Sequence, residues 1–186
     1  MPTADAHVAD EQLMLAYRGG DADAFAVLYA RHKGGLFRFM TRAIRDRGAA
    51  EELFQEVWMK LVEARSRYEP QAKFITYLYT IAHHRMIDHW RRQGLSTVSL
   101  DEEGAMEPPA PSVTQPERRA ELNEQGARIL AALAALPVLQ REAFLLHEEG
   151  GLTVAEIAAA TGTGTEAAKS RLRYAITKLR EALSDG

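Results

Sequence analysis

Apolar residues recur every three or four positions through most of this chain, the spacing of helices that each bury one face. In the first half the pattern predicts helices at about 10–18, 22–45, 49–67 and 74–93. Asp21 reads as the N-cap of the second, because a short carboxylate there accepts from the first free N–H groups. Arg47-Gly48 reads as the break before the third helix. Tyr68-Glu69-Pro70-Gln71 breaks the third from the fourth, since a residue before proline avoids helical angles. Residues 1–9 carry no such pattern and read as a disordered N-terminus. A second block predicts helices at about 118–135, 137–149, 153–160 and 164–183. No strand is predicted; the alternation Thr97-Val98-Ser99-Leu100 is too short.

The last of these segments carries the sharpest local signals. Thr153 and Glu156 have the spacing of a capping box, and Thr163 and Glu166 repeat it ten residues later. Between them lies a run of small residues ending in Thr161-Gly162. Two short capped helices around a glycine turn predict a helix-turn-helix, whose second helix is the one that enters a major groove. On that helix Ala168, Leu172, Ala175, Ile176, Leu179 and Leu183 form the expected core stripe. Lys169, Arg171, Arg173, Lys178 and Arg180 flank the opposite side, around Ser170 and Tyr174. Long cationic arms reach phosphates, and arginine also grips a guanine edge bidentately. The competing reading is a solvated basic face on a terminal helix.

Residues 94–117 change character. They hold four of the seven prolines and five acids but no Lys or Arg, so they read as an extended, flexible linker. The expected fold class is therefore all-α, two small helical domains joined by an acidic Pro-rich linker. A net charge of −3 excludes a globally basic nucleic-acid coat, so DNA binding has to come from local patches. Cysteine is absent, which removes disulfides, Cys zinc sites and thiol redox switching. Neither a secretory signal nor an apolar run of membrane-spanning length is visible, and a cytoplasmic protein without membrane insertion is expected.

In the third helix Leu53, Phe54, Val57, Trp58 and Leu61 cover one side, while Glu51, Glu52, Gln55 and Met59 gather on the other. Spacing alone makes that second side a solvent face. The fourth helix interleaves aromatics with bases, from Lys73 to Arg92. Such a mixture suits unpaired bases stacked on rings with cations on the phosphates, although Phe74, Leu78, Ile81 and Ile87 read as core. His84 and Asp88 are i, i+4 neighbours beside His83 and His89, but no third ligand is supplied, so no metal is expected. Neither a catalytic constellation nor a phosphate-binding loop is present, so no enzyme and no cofactor are expected.

These segments resemble a known family. Ala50 to Trp58, Phe74 to Arg92, Leu136 to Phe144 and Ala168 to Leu172 are similar, in order and spacing, to the extracytoplasmic-function (ECF) group of bacterial sigma-70 factors. The resemblance covers about 10–93 and 118–184. It implies that 10–93 is region 2 and 118–186 is region 4. It makes Glu51, Glu52, Gln55, Glu56 and Met59 a docking face for the β′ subunit of RNA polymerase core, with β as a further contact. It makes Lys73, Tyr77, Tyr79, His84, Arg85, Asp88, His89, Arg91 and Arg92 the track for the single strand of the −10 element. It makes Thr165, Lys169, Ser170, Arg171, Arg173 and Tyr174 the readers of the −35 duplex. Promoter DNA and polymerase are the implied partners, and an anti-sigma factor is a further candidate. Tyr77 departs from the usual Trp and His84 from the usual Asn; Ala167-Ala168 replaces Thr-Val. Two rivals stand beside this reading: a helix-turn-helix regulator acting without polymerase, and an adaptor that only binds other proteins.

Overall fold

The computed structural model describes residues 7–95 and 124–184, all helices and turns. Four helices form the N-terminal half: α1 (Asp10–Arg18), α2 (Ala22–Ala43), α3 (Arg47–Ala64) and α4 (Phe74–Arg92). Four form the C-terminal half: α5 (Glu124–Ala135), α6 (Val138–Glu148), α7 (Val154–Thr161) and α8 (Thr165–Ser184). The predicted linker and the first six residues lie outside the described part, apart from Gly94 and Leu95.

Capping explains most helix starts. Asp21 accepts from the N–H groups of Asp23 and Ala24. Asp46 caps α3 by accepting from Ala49 N, so Arg47-Gly48 lies inside the first turn rather than at the break. The interruption falls instead at Ile44, where the backbone is extended. α4 has no side-chain cap of its own at Lys73; Glu11 of α1 supplies one, accepting from Phe74 N at 2.6 Å. The third helix ends at Ala64, and Arg65–Arg67 tighten into a 3₁₀ turn. Residues 7–9 are held rather than loose: Val8 packs on the core and its carbonyl accepts from Arg31.

Leu13, Met14, Leu28, Leu36, Phe39, Leu53, Val57 and Leu61 are buried in the N-terminal half, roofed by the ring cluster of Tyr17, Phe25, Tyr29 and Trp58. The first turns of α6 are buried on every side, including Gln140, Arg141 and Glu142, because the helix lies between α2 and α8. The two halves therefore share one apolar core. α4 packs on α7, and α2 packs on α5 and α6. A glycine leaves room for the Tyr79 ring where the halves meet. A Cβ on Gly150 would stand 2.7 Å from Leu146 O and 3.2 Å from the Tyr79 ring.

Four core expectations change. Phe74 and Leu78 are buried, but Ile81 and Ile87 are only half-buried. On α8, Ile176 is half-buried and Leu183 is exposed, since the stripe outruns the surface it packs on.

Candidate nucleic-acid interface and docking face

The turn between α7 and α8 is built as its sequence demands. Thr153 Oγ1 accepts from Glu156 N, and Glu156 Oε2 accepts from Thr153 N at 2.8 Å, closing the capping box. Gly162 then reverses the chain at φ 64, a left-handed conformation that glycine adopts without a Cβ penalty. The second predicted box does not sit at the helix start: α8 begins at Thr165, so the position before it is Gly164 rather than Thr163.

α8 divides its polar residues between two directions. Thr165, Lys169 and Arg173 form one exposed i, i+4, i+8 row, with half-buried Ser170 and exposed Tyr174 beside it. The Arg173 guanidinium lies over the Tyr174 ring at 5.4 Å, which holds the arm against the helix. Arg171 points elsewhere, into a cleft shared with α4.

That cleft, of about 520 Å³, collects His84, Arg85, Asp88 and Arg91 from α4 and Arg171 from α8, with the Thr161–Thr163 turn over it. Arg85 pairs with Asp88 at 2.8 Å. Among the described residues no cluster of three His, Asp or Glu gathers to hold a metal ion. Burial and the neighbouring cations push the His84 imidazole below its ordinary range, so it is a neutral donor or stacking surface. Tyr77 is half-buried against Tyr68, with ring centroids 5.0 Å apart, and lines a second hollow with His84, Arg85, Lys60 and Arg67. Arg92 is exposed at the end of α4, and His89 is half-buried. Tyr79 does not join this track. It is 1% exposed, edge-on to Phe39 at 5.0 Å, and burial raises its phenol well above the ordinary value.

Lys73 reaches across to the other half, where its Nζ meets Glu156 Oε1 at 2.8 Å. Two more acids of the C-terminal half do the same. Glu149 accepts from Arg38 at 2.8 Å and from Arg42, and Glu142 meets His83 Nδ1 at 2.6 Å. Glu142, Glu149 and Glu156 stand seven residues apart, so regular spacing was the available signal. Sequence reasoning did not single out Glu142 or Glu149, and read Glu156 only as a capping residue.

On the far side, α3 turns Glu52, Gln55 and Met59 outward, with Glu51 and Glu56 half-buried beside them. Met59 is 61% exposed, high for a large apolar side chain, and two acids flank it. Leu53, Val57, Trp58 and Leu61 face the core from the same helix, so both sequence-predicted faces exist.

Comparison with known proteins accounts for this arrangement. Residues 28–95 match the family description "Sigma-70 region 2" and residues 126–179 match "Sigma-70, region 4". The RNA polymerase sigma factor CarQ of Myxococcus xanthus is 34% identical over 92% of this chain and 96% of its own length. The ECF RNA polymerase sigma factor SigK of Mycobacterium sp. (strain KMS) is 30% identical over 88% of this chain and 84% of its own. In fold, the chain is similar to CnrH in its complex with the cytosolic domain of CnrY, with TM-score 0.71 at 22% identity, covering 96% of this chain and 99% of that one. It is also similar to RpoE bound to the anti-sigma factor NepR from Bartonella quintana, with TM-score 0.66 at 23% identity over 86% of this chain and 96% of that one. The chain belongs to the sigma-70 family as an ECF RNA polymerase sigma factor.

Proposed function

We propose that this sigma factor divides its work between three surfaces. The α3 face of Glu51, Glu52, Gln55, Glu56 and Met59 docks on the β′ subunit of core polymerase. α4, through Lys73, Tyr77, His84, Arg85, Asp88, His89, Arg91 and Arg92, holds the single strand of the −10 element. α8, through Thr165, Lys169, Ser170, Arg171, Arg173 and Tyr174, reads the −35 duplex. Residues 10–93 and 118–186 are the corresponding domains, and 94–117 connects them. The observation that carries this reading is the exposed row Thr165, Lys169, Arg173 on a helix that follows a closed capping box and a left-handed glycine turn. That is the geometry in which a helix presents its first turns to base edges.

The chemistry of the reading is binding, not catalysis. Polymerase makes the bonds, and the sigma factor lowers the cost of melting by stacking and charge on the captured strand. Such a factor works in the cytoplasm beside polymerase, and an anti-sigma factor is a fitting further partner. No helix among the described residues is long and apolar enough to cross a membrane.

Run-off transcription with purified core polymerase on a genomic fragment library tests the whole reading. New discrete start sites that depend on the protein are expected. Core binding without new starts would replace it with an adaptor role. No core binding would leave a duplex-only regulator.

A further inference from the structure

The two sets of residues assigned to DNA meet at one point, where Arg171 of the α8 set enters the cleft lined by the α4 set. His84, Arg85, Asp88 and Arg91 of α4 lie across one cleft of about 520 Å³ from Arg171 and the α7–α8 turn. A −10 and a −35 element are separated by about 25 base pairs, about 85 Å of duplex at 3.4 Å per pair. Surfaces that share a single small cleft cannot span that distance. The arrangement described here is therefore a closed one, and promoter engagement requires the halves to part.

Among the described residues three acids of the C-terminal half meet bases across the closed boundary, and their contacts are unequal. Glu149 is 7% exposed, but its partners Arg38 and Arg42 are 54% and 40% exposed, and Lys73 is 68% exposed where it meets Glu156 at 19%. Pairs whose base reaches solvent in this way are partly screened. The third is different. The Glu142 side chain is 1% exposed and His83 is 10% exposed, with Nδ1 and Oε1 2.6 Å apart. His83 borders the same cleft but is not one of the residues assigned to the single strand, and Glu142 is not part of the α8 reading face. Their single contact ties α4 to α6, one from each half.

We propose that His83 and Glu142 form a proton-sensitive latch between the two halves, closed when the imidazole is protonated and released when the proton leaves to solvent. The inference rests on the assignment of α4 and α8 to promoter DNA. With the imidazolium present, the buried carboxylate has its counter-charge and a charge-assisted hydrogen bond. With a neutral imidazole, Glu142 loses its hydrogen-bonded counter-ion, which is costly for a buried charge in low dielectric. In the open form both groups are hydrated and that cost disappears.

The surrounding charges set the direction. Burial pushes the His83 imidazole down, but the Glu142 carboxylate and its hydrogen bond outweigh this, and the net shift is upward from 6.5. Arg171 from α8 and Arg91 from α4 itself oppose it, and the His84 ring lies alongside at 5.7 Å between centroids. The only acid of α7, Glu156, is bonded to Lys73. A proton bound more tightly in the closed form stabilises that form fully below the open-state value. The stabilisation is lost as pH rises through the closed-state value. Each unit of difference between the two values changes the closed-to-open ratio by about tenfold.

The absence of cysteine makes the test direct, since two introduced thiols are the only ones. Dyes at Ala26→Cys on α2 and Ala182→Cys on α8, both exposed positions, report separation by energy transfer from about pH 5.5 to about pH 8.5. Transfer is expected to fall as pH rises. In Glu142→Gln the profile flattens or reverses. In the double variant His83→Leu, Glu142→Leu, where an apolar pair replaces the ionic one, transfer stays high at every pH. Circular dichroism on each variant confirms that the helices persist. A flat wild-type profile, or the same pH profile in both variants as in wild type, would overturn the latch. Run-off transcription on the unlabelled protein separates this from the parent reading. Promoter-specific starts with a flat transfer profile remove the latch alone. A pH-dependent profile without starts keeps the latch and removes the promoter assignment.

Discussion

Glu156 serves two partners with its two oxygens: Oε2 accepts from Thr153 N within the capping box, and Oε1 meets Lys73 Nζ of the other half at 2.8 Å. The same carboxylate thus starts helix α7 and touches helix α4. Lys73 lowers the acidity range of Glu156 first, and the Thr153 N–H adds to it. The two roles differ in what they contribute. The cap satisfies a backbone donor that has no other partner within the helix, whereas the ion pair lies largely in solvent.

Thr153→Ala should therefore cost about 1 kcal/mol, the usual loss for a capping hydroxyl. Lys73→Ala should leave the unfolding midpoint unchanged, because the cap remains. Urea denaturation of the two variants measures both. Equal midpoints for Thr153→Ala and wild type would show that the box adds nothing to stability.

Arg173 and Lys169 occupy one exposed row of α8, but their chemistry differs. A guanidinium forks onto a guanine edge, while an ammonium meets phosphate as a point charge. Arg173→Ala should weaken −35 duplex binding by about 1–3 kcal/mol and relax preference at one base pair. Lys169→Ala should weaken binding to all sequences alike and reduce the salt slope by about 1. Fluorescence anisotropy with a set of single-base variants, across a salt series, separates the two. Unchanged affinity in both variants would remove this row from the interface.

Glu52 is exposed beside Met59 on the face of α3 that points away from the core. Glu52→Lys should abolish binding to core polymerase by placing a cation where an acid is wanted, with like-charge contact costing several kcal/mol. Its circular dichroism should match wild type, since the side chain packs on nothing buried. Wild-type affinity of a folded Glu52→Lys protein would move the docking face elsewhere.

Local structure was legible because local rules decide it. The Thr153–Glu156 box, the Asp21 cap and the Gly162 turn each involve residues within four positions of one another. The apolar stripe of α3 likewise separated Leu53 and Val57 from Glu52 and Met59 without reference to any other helix. Two local readings slipped by a residue or more, the Thr163–Glu166 box and the Arg47-Gly48 break, but the larger misses depend on distant neighbours. Tyr79 beside cationic helix positions reads as a stacking platform, yet its side chain meets Phe39 and Gly150, which sequence spacing cannot supply. Nothing in the local pattern marks Gln140, Arg141 and Glu142 as interior, but α6 has neighbours on both sides and buries all three. Periodicity says which face is apolar. It does not say that a polar residue will meet a partner 59 positions away, as Glu142 meets His83.

The close contact at Gly150 gives a prediction in which two glycine substitutions have opposite signs. A Cβ at Gly150 would lie 2.7 Å from a backbone oxygen and 2.8 Å from Leu152 Cδ1, with the Tyr79 ring at 3.2 Å. The backbone oxygen cannot swing away, so the end of α6 has to shift. Overpacking of this kind costs about 1–3 kcal/mol. At Gly34, within α2, the nearest atom to an added Cβ is the Arg38 guanidinium at 3.3 Å, the tip of a flexible side chain. There the gain in helix propensity of up to about 1 kcal/mol should prevail. Gly150→Ala should lower the thermal midpoint and Gly34→Ala should raise it or leave it level. Calorimetry on both decides the matter: a Gly150→Ala protein as stable as wild type would mean that the turn after α6 is not packed against Leu146 and Leu152 as closely as described.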